Sequence, residues 1–226
     1  MTTEKSGSAV IYLGGSGMAT VDWGDGTENS IKELSSISFA NNFYHNYTGS
    51  NTRTIKIFGN DVTYLRCFNL ELTSLDVSEN PALERLEIDF NLLTDLDVSK
   101  NPVLTWLICS NNLLTSLDVS KNTVLTRLDF GGNNIITFDV SKNSALINLG
   151  CSNNSLKSLD VSGATSLSTL RCQYNQLTDA ALDDLFHSLP FNESFYTIYI
   201  RGNPGVDNCN QSIATEKGWI VNNSYN

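Results

Sequence analysis

The sequence predicts an α/β solenoid, in which short parallel strands stack into one sheet and helices occur towards the C-terminal end. The first observation is a four-residue segment, Leu-Asp-Val-Ser, that returns every 21 residues, once with Phe in place of Leu. Its copies begin at Leu75, Leu96, Leu117, Phe138 and Leu159. The second observation is an apolar pattern of the same period, and the third is an amphipathic helical pattern in the last repeat. Fixed periods in this range indicate units that bury their apolar faces by stacking on one another.

The repeating unit alternates apolar and polar residues and carries an asparagine at a fixed place. One copy reads Leu104-x-x-Leu107-x-Cys109-x-x-Asn112-x-Leu114. The same frame starts at Leu83, Leu104, Leu125, Leu146 and Leu167, after a degenerate first copy at Val62, Leu65 and Cys67, and its asparagines are Asn91, Asn112, Asn133, Asn154 and Asn175. This pattern resembles the leucine-rich repeat signature over roughly residues 60–205. The resemblance implies that each asparagine side chain satisfies backbone groups where a strand turns.

The first 59 residues lack the repeat and are predicted to form a small β unit. Asp25-Gly26 supplies a hairpin turn among strand-like segments at residues 9–13, 19–23 and 54–58. The order Trp-Gly-Asp-Gly-Thr, then His45-x-Tyr47, then a closing strand resembles the PKD-type β-sandwich. We therefore expect a reduced PKD-like cap on the first repeat.

The last repeat is longer than the others, and its insertion predicts a helix over residues 178–190. Its apolar residues Leu182, Leu185, Phe186 and Leu189 fall on one helical face. A strand is expected at residues 196–201, then a second helix at 207–217, and residues 219–221 are expected to cover the open end of the stack. The chain thus divides into a PKD-like β cap (1–59), a leucine-rich repeat solenoid (60–205) and a C-terminal cap with helical character (206–226).

Charge and apolar content limit the classes of partner. The chain carries 14 Lys and Arg against 24 Asp and Glu, a net charge of −10. This balance argues against nucleic acid or an anionic membrane as the partner. No stretch of 18 apolar residues occurs, so no direct membrane insertion is predicted for this sequence. The first residues contain no apolar core of a secretion signal, which leaves a cytosolic protein or one whose signal has been removed.

Four of the five cysteines occupy one position of the repeat. Two other repeats hold Ile88 and Phe130 there, and the cysteines are Cys67, Cys109, Cys151 and Cys172. A position that accepts Cys, Ile and Phe is typical of an apolar core, so buried free thiols are favoured. A disulfide between Cys151 and Cys172, and a metal site, are the alternatives.

A column of aspartates has the same period and allows two interpretations. Its members are Asp76, Asp97, Asp118, Asp139 and Asp160, and the nearby Lys100, Lys121 and Lys142 neutralise part of its charge. A carboxylate two residues before a serine commonly accepts backbone N–H groups in a turn. This structural role is favoured, and a bound calcium ion is the alternative. No metal or cofactor is predicted.

The outward positions of each predicted strand differ from repeat to repeat, whereas the inward positions do not. The candidate binding residues on this face, the concave face of the solenoid, are Tyr64, Arg66, Phe68, Arg85, Glu87, Asp89, Trp106, Ile108, Arg127, Asp129, Arg171, Tyr199 and Arg201. Tyr, Trp and Arg are enriched at binding hot spots. The alternative is that the arginines only form ion pairs with Glu87, Asp89 and Asp129.

Nothing in the sequence indicates an enzyme. The only histidines, His45 and His187, are far apart, and no catalytic triad, phosphate loop or zinc-spaced cysteine cluster occurs. A β unit joined to 21-residue leucine-rich repeats resembles internalin-like surface and secreted proteins of bacteria. That resemblance implies an exported or lipid-anchored protein, at the cell surface or extracellular, that binds a protein or glycan and is a monomer. The alternative is a structural or adhesive spacer of a larger cell-surface protein.

Overall fold

A ten-stranded sheet is the main feature of the computed structural model, which describes residues 1–35, 41–59, 61–191 and 196–223. The strands are β1 (Thr2–Thr3), β2 (Gly7–Ser16), β3 (Met18–Asp22), β4 (Ser30–Glu33), β5 (Asn41–Tyr47), β6 (Arg53–Thr54), β7 (Lys56–Phe58), β8 (Asp61–Arg66), β9 (Leu72–Ser74), β10 (Arg85–Glu87), β11 (Trp106–Ile108), β12 (Arg127–Asp129), β13 (Asn148–Gly150), β14 (Thr169–Arg171), β15 (Tyr196–Tyr199) and β16 (Trp219–Asn222). The helices are α1 (Asp179–Ser188) and α2 (Ser212–Thr215).

The repeats supply the parallel part of this sheet. Strands β8 and β10 to β16 are neighbours in chain order, and every adjacent pair is parallel. From β8 to β14 they pair without a shift of register, so Leu86, Leu107 and Leu128 face one another. These leucines are at most 1% exposed. The predicted leucine-rich repeat solenoid is therefore confirmed.

The predicted asparagine column forms a continuous ladder of hydrogen bonds. In Asn112, the side-chain Oδ1 accepts the Leu93 N–H at 3.1 Å, and Nδ2 donates to the carbonyls of Ile88 and Cys109, each at 3.0 Å. One side-chain amide thus satisfies backbone groups of its own repeat and of the preceding repeat. These backbone groups form no hydrogen bond within the sheet.

A second asparagine ladder, which was not predicted, lies on the other side of the core. Asn101, Asn122 and Asn143 are completely buried. Nδ2 of Asn122 donates to the carbonyls of Val98 and Asn101 at 3.0 and 2.9 Å. The Oδ1 atoms of all three accept no hydrogen bond from the described residues. The signal was present in the sequence, because these residues also recur at intervals of 21.

The cysteine and aspartate columns have the roles that were favoured. Cys67, Cys109, Cys151 and Cys172 are buried free thiols, and burial raises the pKa of Cys67 and of Cys172 to about 12. Oδ1 of each aspartate accepts the backbone N–H two residues later, at 2.8 Å for Asp118 and Ser120. The aspartates therefore stabilise turns.

The N-terminal residues extend the solenoid sheet. Strand β2 pairs antiparallel with β8 on one side and with β5 on the other, so two N-terminal strands continue the sheet of the repeats. The predicted hairpin turn is held by Asp25, whose Oδ1 accepts the Thr27 N–H and whose Oδ2 lies 2.7 Å from Nε2 of His45. The hydrogen bond from the Thr27 hydroxyl and the contact with His45 lower the pKa of Asp25 to about 2.

The C-terminal region contains the predicted first helix and differs from the second prediction. Helix α1 begins after the N-cap Thr178, and Leu182, Leu185 and Phe186 are buried. The predicted helix at residues 207–217 is wrong: α2 has only four residues, and turns replace the expected first half. The segment after it forms β16, which extends the parallel sheet. No helix in the described part of the chain is long and apolar enough to cross a membrane.

Candidate binding face

The concave face is the side of the solenoid sheet that points away from the leucine core. Because side chains alternate along a strand, the residues on each side of the core leucine point outward. The register aligns them in two columns, Tyr64, Arg85, Trp106, Arg127, Asn148, Thr169 and Thr197, and Arg66, Glu87, Ile108, Asp129, Gly150, Arg171 and Tyr199. By the same alternation a third column follows the strand ends and includes Phe68, Asp89 and Arg201. All thirteen candidate residues thus belong to one face.

A stack of aromatic rings and guanidinium groups crosses the first strands of this face. The guanidinium carbon of Arg85 lies 4.1 Å from the ring centroid of Trp106, and that of Arg127 lies 4.3 Å from the same ring. Because the two arginines lie on the strands either side of Trp106, they enclose its indole. Trp106 is therefore only partly exposed. Cation–π contacts replace water on both sides of the ring.

Glu87 organises the beginning of the same face. This carboxylate is 6% exposed; it accepts a hydrogen bond from Arg85 Nε at 2.7 Å, and Arg66 Nε lies 3.4 Å from its second oxygen. The Tyr64 hydroxyl donates to it at 3.3 Å, and burial, helped by this carboxylate, raises the pKa of Tyr64. Tyr64 is only 3% exposed. Tyr64 and Glu87 therefore offer little surface of their own, and they support the arginines.

Only some arginines of the face form the ion pairs that the alternative interpretation required. Arg66 and Arg85 pair with Glu87, as that alternative required. Within the described part of the chain, no carboxylate lies within salt-bridge distance of Arg127 or Arg171. The guanidinium carbon of Arg171 instead lies 5.3 Å from the ring centroid of Tyr199. Two guanidinium groups of the face thus remain without a carboxylate.

A shallow depression of about 400 Å³ lies between the middle repeats. Gly131 and Gly150 contribute no side chains to it, and Asp89, Asp129 and Arg171 are among its walls. Oδ1 of Asp129 accepts the Gly131 N–H at 3.0 Å and a bond from Ser110 Oγ at 2.7 Å. Burial, reinforced by the charge of Glu87, raises the pKa of Asp89.

An exposed aromatic pair borders the face, and the sequence analysis identified only one of its members. Phe68 is 41% exposed and Phe90 is 51% exposed, and their ring centroids lie 5.3 Å apart. Phe90 has a φ of +56°, a left-handed conformation that the equivalent positions of other repeats give to Asn69, Asn111, Gly132, Asn153 and Tyr174. A bulky residue is rare in this conformation. The signal for Phe90 was therefore an aromatic residue in a column that Asn and Gly dominate, where Tyr174 is the other aromatic member.

The described part of the chain shows no group of three or more His, Cys, Asp or Glu side chains that could hold a metal ion. The face instead combines exposed apolar rings with guanidinium groups that can donate paired hydrogen bonds. Such surfaces are suited to binding a partner.

Comparisons with known proteins agree with this architecture. A family model described as Leucine Rich repeat matches residues 121–137. Among solved structures, internalin InlF of Listeria monocytogenes is 22% identical with a TM-score of 0.54, and the match covers 70% of this chain and 46% of that one. The chain has an internalin-like leucine-rich-repeat fold.

Two further Listeria monocytogenes proteins are among the similar structures. Internalin C2 is 19% identical with a TM-score of 0.51, over 72% of this chain and 81% of that one. The functional domain of InlJ is 25% identical with a TM-score of 0.44, over 75% of this chain and 50% of that one. The internalin-like chain thus spans about half the length of InlF and of the InlJ domain. No curated protein matches the sequence significantly. The comparisons do not confirm the resemblance of the N-terminal residues to a PKD unit.

Proposed function

We propose that this internalin-like chain is a non-enzymatic recognition module that binds a protein or glycan through its concave face. The observation that carries the proposal is the contrast within each strand: the inward leucine repeats, whereas its outward neighbours change from Arg85 to Trp106 to Arg127 at the same register. A solenoid needs the inward residue for stacking, but it does not need this particular outward sequence.

The composition of the face supports the proposal. Tyr, Trp and Arg are enriched at binding hot spots, and Trp106 is held between two arginines in a fixed position. A side chain already held in place loses little conformational entropy on binding. The proposed contact residues are Arg66, Phe68, Arg85, Asp89, Trp106, Ile108, Arg127, Asp129, Arg171, Tyr199 and Arg201, with Tyr64 and Glu87 as their buried supports.

We also propose the organisation around the face. Residues 1–59 serve as the N-terminal cap, residues 60–205 as the recognition solenoid, and residues 206–226 as the C-terminal cap. The internalin-like fold supports a location at the cell surface or outside the cell. The chain acts there as a monomer, because one copy presents the whole face.

The test is a protein and glycan array probed with the purified chain, followed by affinity measurement for the strongest partner. Trp106→Ala should weaken binding at least about fivefold, equivalent to about 1 kcal/mol. Val103→Ala is the matched control, because Val103 belongs to the same repeat but lies outside the face and is 44% exposed. Circular dichroism should show both variants folded. Equal affinity of the two variants for every partner found would contradict the proposal.

A further inference from the structure

The sign of the charge on the concave face is opposite to that of the whole molecule. The three columns contain five arginines and three carboxylates, namely Arg66, Arg85, Arg127, Arg171 and Arg201 against Glu87, Asp89 and Asp129. The rest of the sequence holds nine cationic residues (14 − 5) against 21 acidic ones (24 − 3). A positive face on a negative protein attracts acidic partners.

Two of these arginines are positioned to bind carboxylates. The side chains of Arg127 and Arg171 make no ion pair or hydrogen bond with any residue that the structure describes. Each is held by an aromatic ring instead, at 4.3 Å from Trp106 and 5.3 Å from Tyr199. A guanidinium that stacks on a ring keeps its fork of N–H donors, which matches a carboxylate in a bidentate pair.

The same stacking argues against a sugar as the main ligand. A sugar ring would need an open aromatic face to stack on, but Arg85 and Arg127 enclose Trp106 from both sides. Of the other rings, Arg171 lies over Tyr199, and Arg201 lies 5.6 Å from Tyr174. The exposed rings of Phe68 and Phe90 lie at the border of the face, where they favour an apolar side chain of a protein.

The spacing of the two arginines limits the acidic partner further. Arg127 and Arg171 lie on strands two positions apart and two residues apart along the strand direction, so their Cα atoms are separated by about 12 Å at the usual strand spacing and rise. The carboxylate of Asp129 lies in the intervening depression with Arg171. A partner with a continuous row of negative charges would be repelled by the Asp129 carboxylate. A partner with two separate carboxylates could reach both arginines without approaching Asp129.

We propose that the concave face binds an acidic polypeptide segment, two separate carboxylates of which pair with Arg127 and Arg171. This inference rests on the proposed recognition function and specifies the chemical class of the partner. The affinity should fall as salt concentration rises, because both guanidinium groups are open to solvent ions.

The experiment is selection of a random 12-residue peptide library on the purified chain. Enriched peptides should carry at least two Asp or Glu residues and bind the Arg127→Gln/Arg171→Gln variant at least about tenfold more weakly, equivalent to about 1.4 kcal/mol. The control variant is Lys121→Gln/Lys142→Gln, which removes the same charge outside the face and should bind normally. Thermal melting should show that both variants fold.

Several outcomes would overturn the inference. Enriched peptides that are neutral or basic would do so, as would equal weakening by both double variants or failure to enrich any acidic family. Hyaluronan is a carboxylated polysaccharide. If it binds more tightly than the enriched peptides, and if the Arg127→Gln/Arg171→Gln variant loses this binding, the site belongs to a glycan. If neutral peptides bind and Trp106→Ala abolishes their binding, the proposed recognition function stands and only the acidic class is wrong.

Discussion

The inner and outer columns of the same strands follow different rules. Leu86, Leu107 and Leu128 are identical and buried, whereas their outward neighbours one residue earlier are Arg85, Trp106 and Arg127. Both columns share one backbone and one register, so local geometry cannot account for the difference. Packing fixes the inner residue, because each repeat stacks on an equivalent one, while the outer residue is free to serve another purpose.

Truncation of an inner leucine should have the largest effect and tests the comparison most severely. Leu107→Ala removes a completely buried side chain from the middle of the stack and should lower the free energy of unfolding by about 2–5 kcal/mol. The outward neighbour Ile108 is partly exposed, and Ile108→Ala should cost less than half as much. Urea denaturation measures both. Equal costs would mean that the two columns contribute alike to folding.

The two asparagine ladders should differ in a smaller but clear way. Asn112→Ala removes three hydrogen bonds and leaves the buried Leu93 N–H unpaired, whereas the carbonyls of Ile88 and Cys109 keep the amides of Asn91 and Asn133, so a cost of about 2 kcal/mol or more is expected. Asn122→Ala removes two hydrogen bonds to carbonyls that each keep a backbone N–H donor, and it removes an Oδ1 that accepts no hydrogen bond from the described residues, so about 1 kcal/mol is expected. The order of the two denaturation midpoints checks this, and a reversed order would contradict it.

Acidification should have the smallest effect and acts on the aspartate column. The backbone N–H and the side chain of Ser120 donate to Asp118 and lower its pKa below 3.8. Since the folded-state pKa is depressed, the stabilisation is complete above the unfolded-state pKa, near 4, and disappears as the pH falls through the folded-state pKa.

The melting temperature should therefore fall between pH 5 and pH 3. Asp118→Asn keeps a side-chain acceptor without the charge, so its melting temperature should depend less steeply on pH than that of the wild type. Lys157→Gln serves as a control for simple charge change, because this exposed lysine is not among the groups that shift the pKa of Asp118. Identical pH profiles of the wild type and Asp118→Asn would show that the aspartate turn does not sense pH.

Periodicity was sufficient to predict the repeats, their inward residues and the asparagine ladder around Asn112, because identical units must repeat identical contacts. It also placed Trp106 on the outer face. It could not predict that arginines from both neighbouring strands enclose this indole, since side-chain conformations on an open face are not fixed by the repeat. For the same reason periodicity could not predict the burial of Tyr64, which Arg85 and Glu87 cover.

The prediction of a helix at residues 207–217 failed outside the repeats, where no neighbouring copy supported it. An Asp followed by polar residues suits a helix start, but it suits a series of turns equally well. Strand β16 was missed there because its four residues, Trp219–Asn222, show no alternation over enough length to identify a strand. Only pairing with β15 defines it.

Hydroxyl-radical footprinting of the chain with its array-identified partner tests the central claim most directly. If the variable outer columns are the recognition surface, the partner should protect Phe68, Phe90 and Trp106 from oxidation. Exposed residues away from the face, such as Ile136 at 52% and Phe191 at 80% exposure, should react as before. Protection of Ile136 or Phe191 with unchanged oxidation of the three aromatic residues would contradict the account.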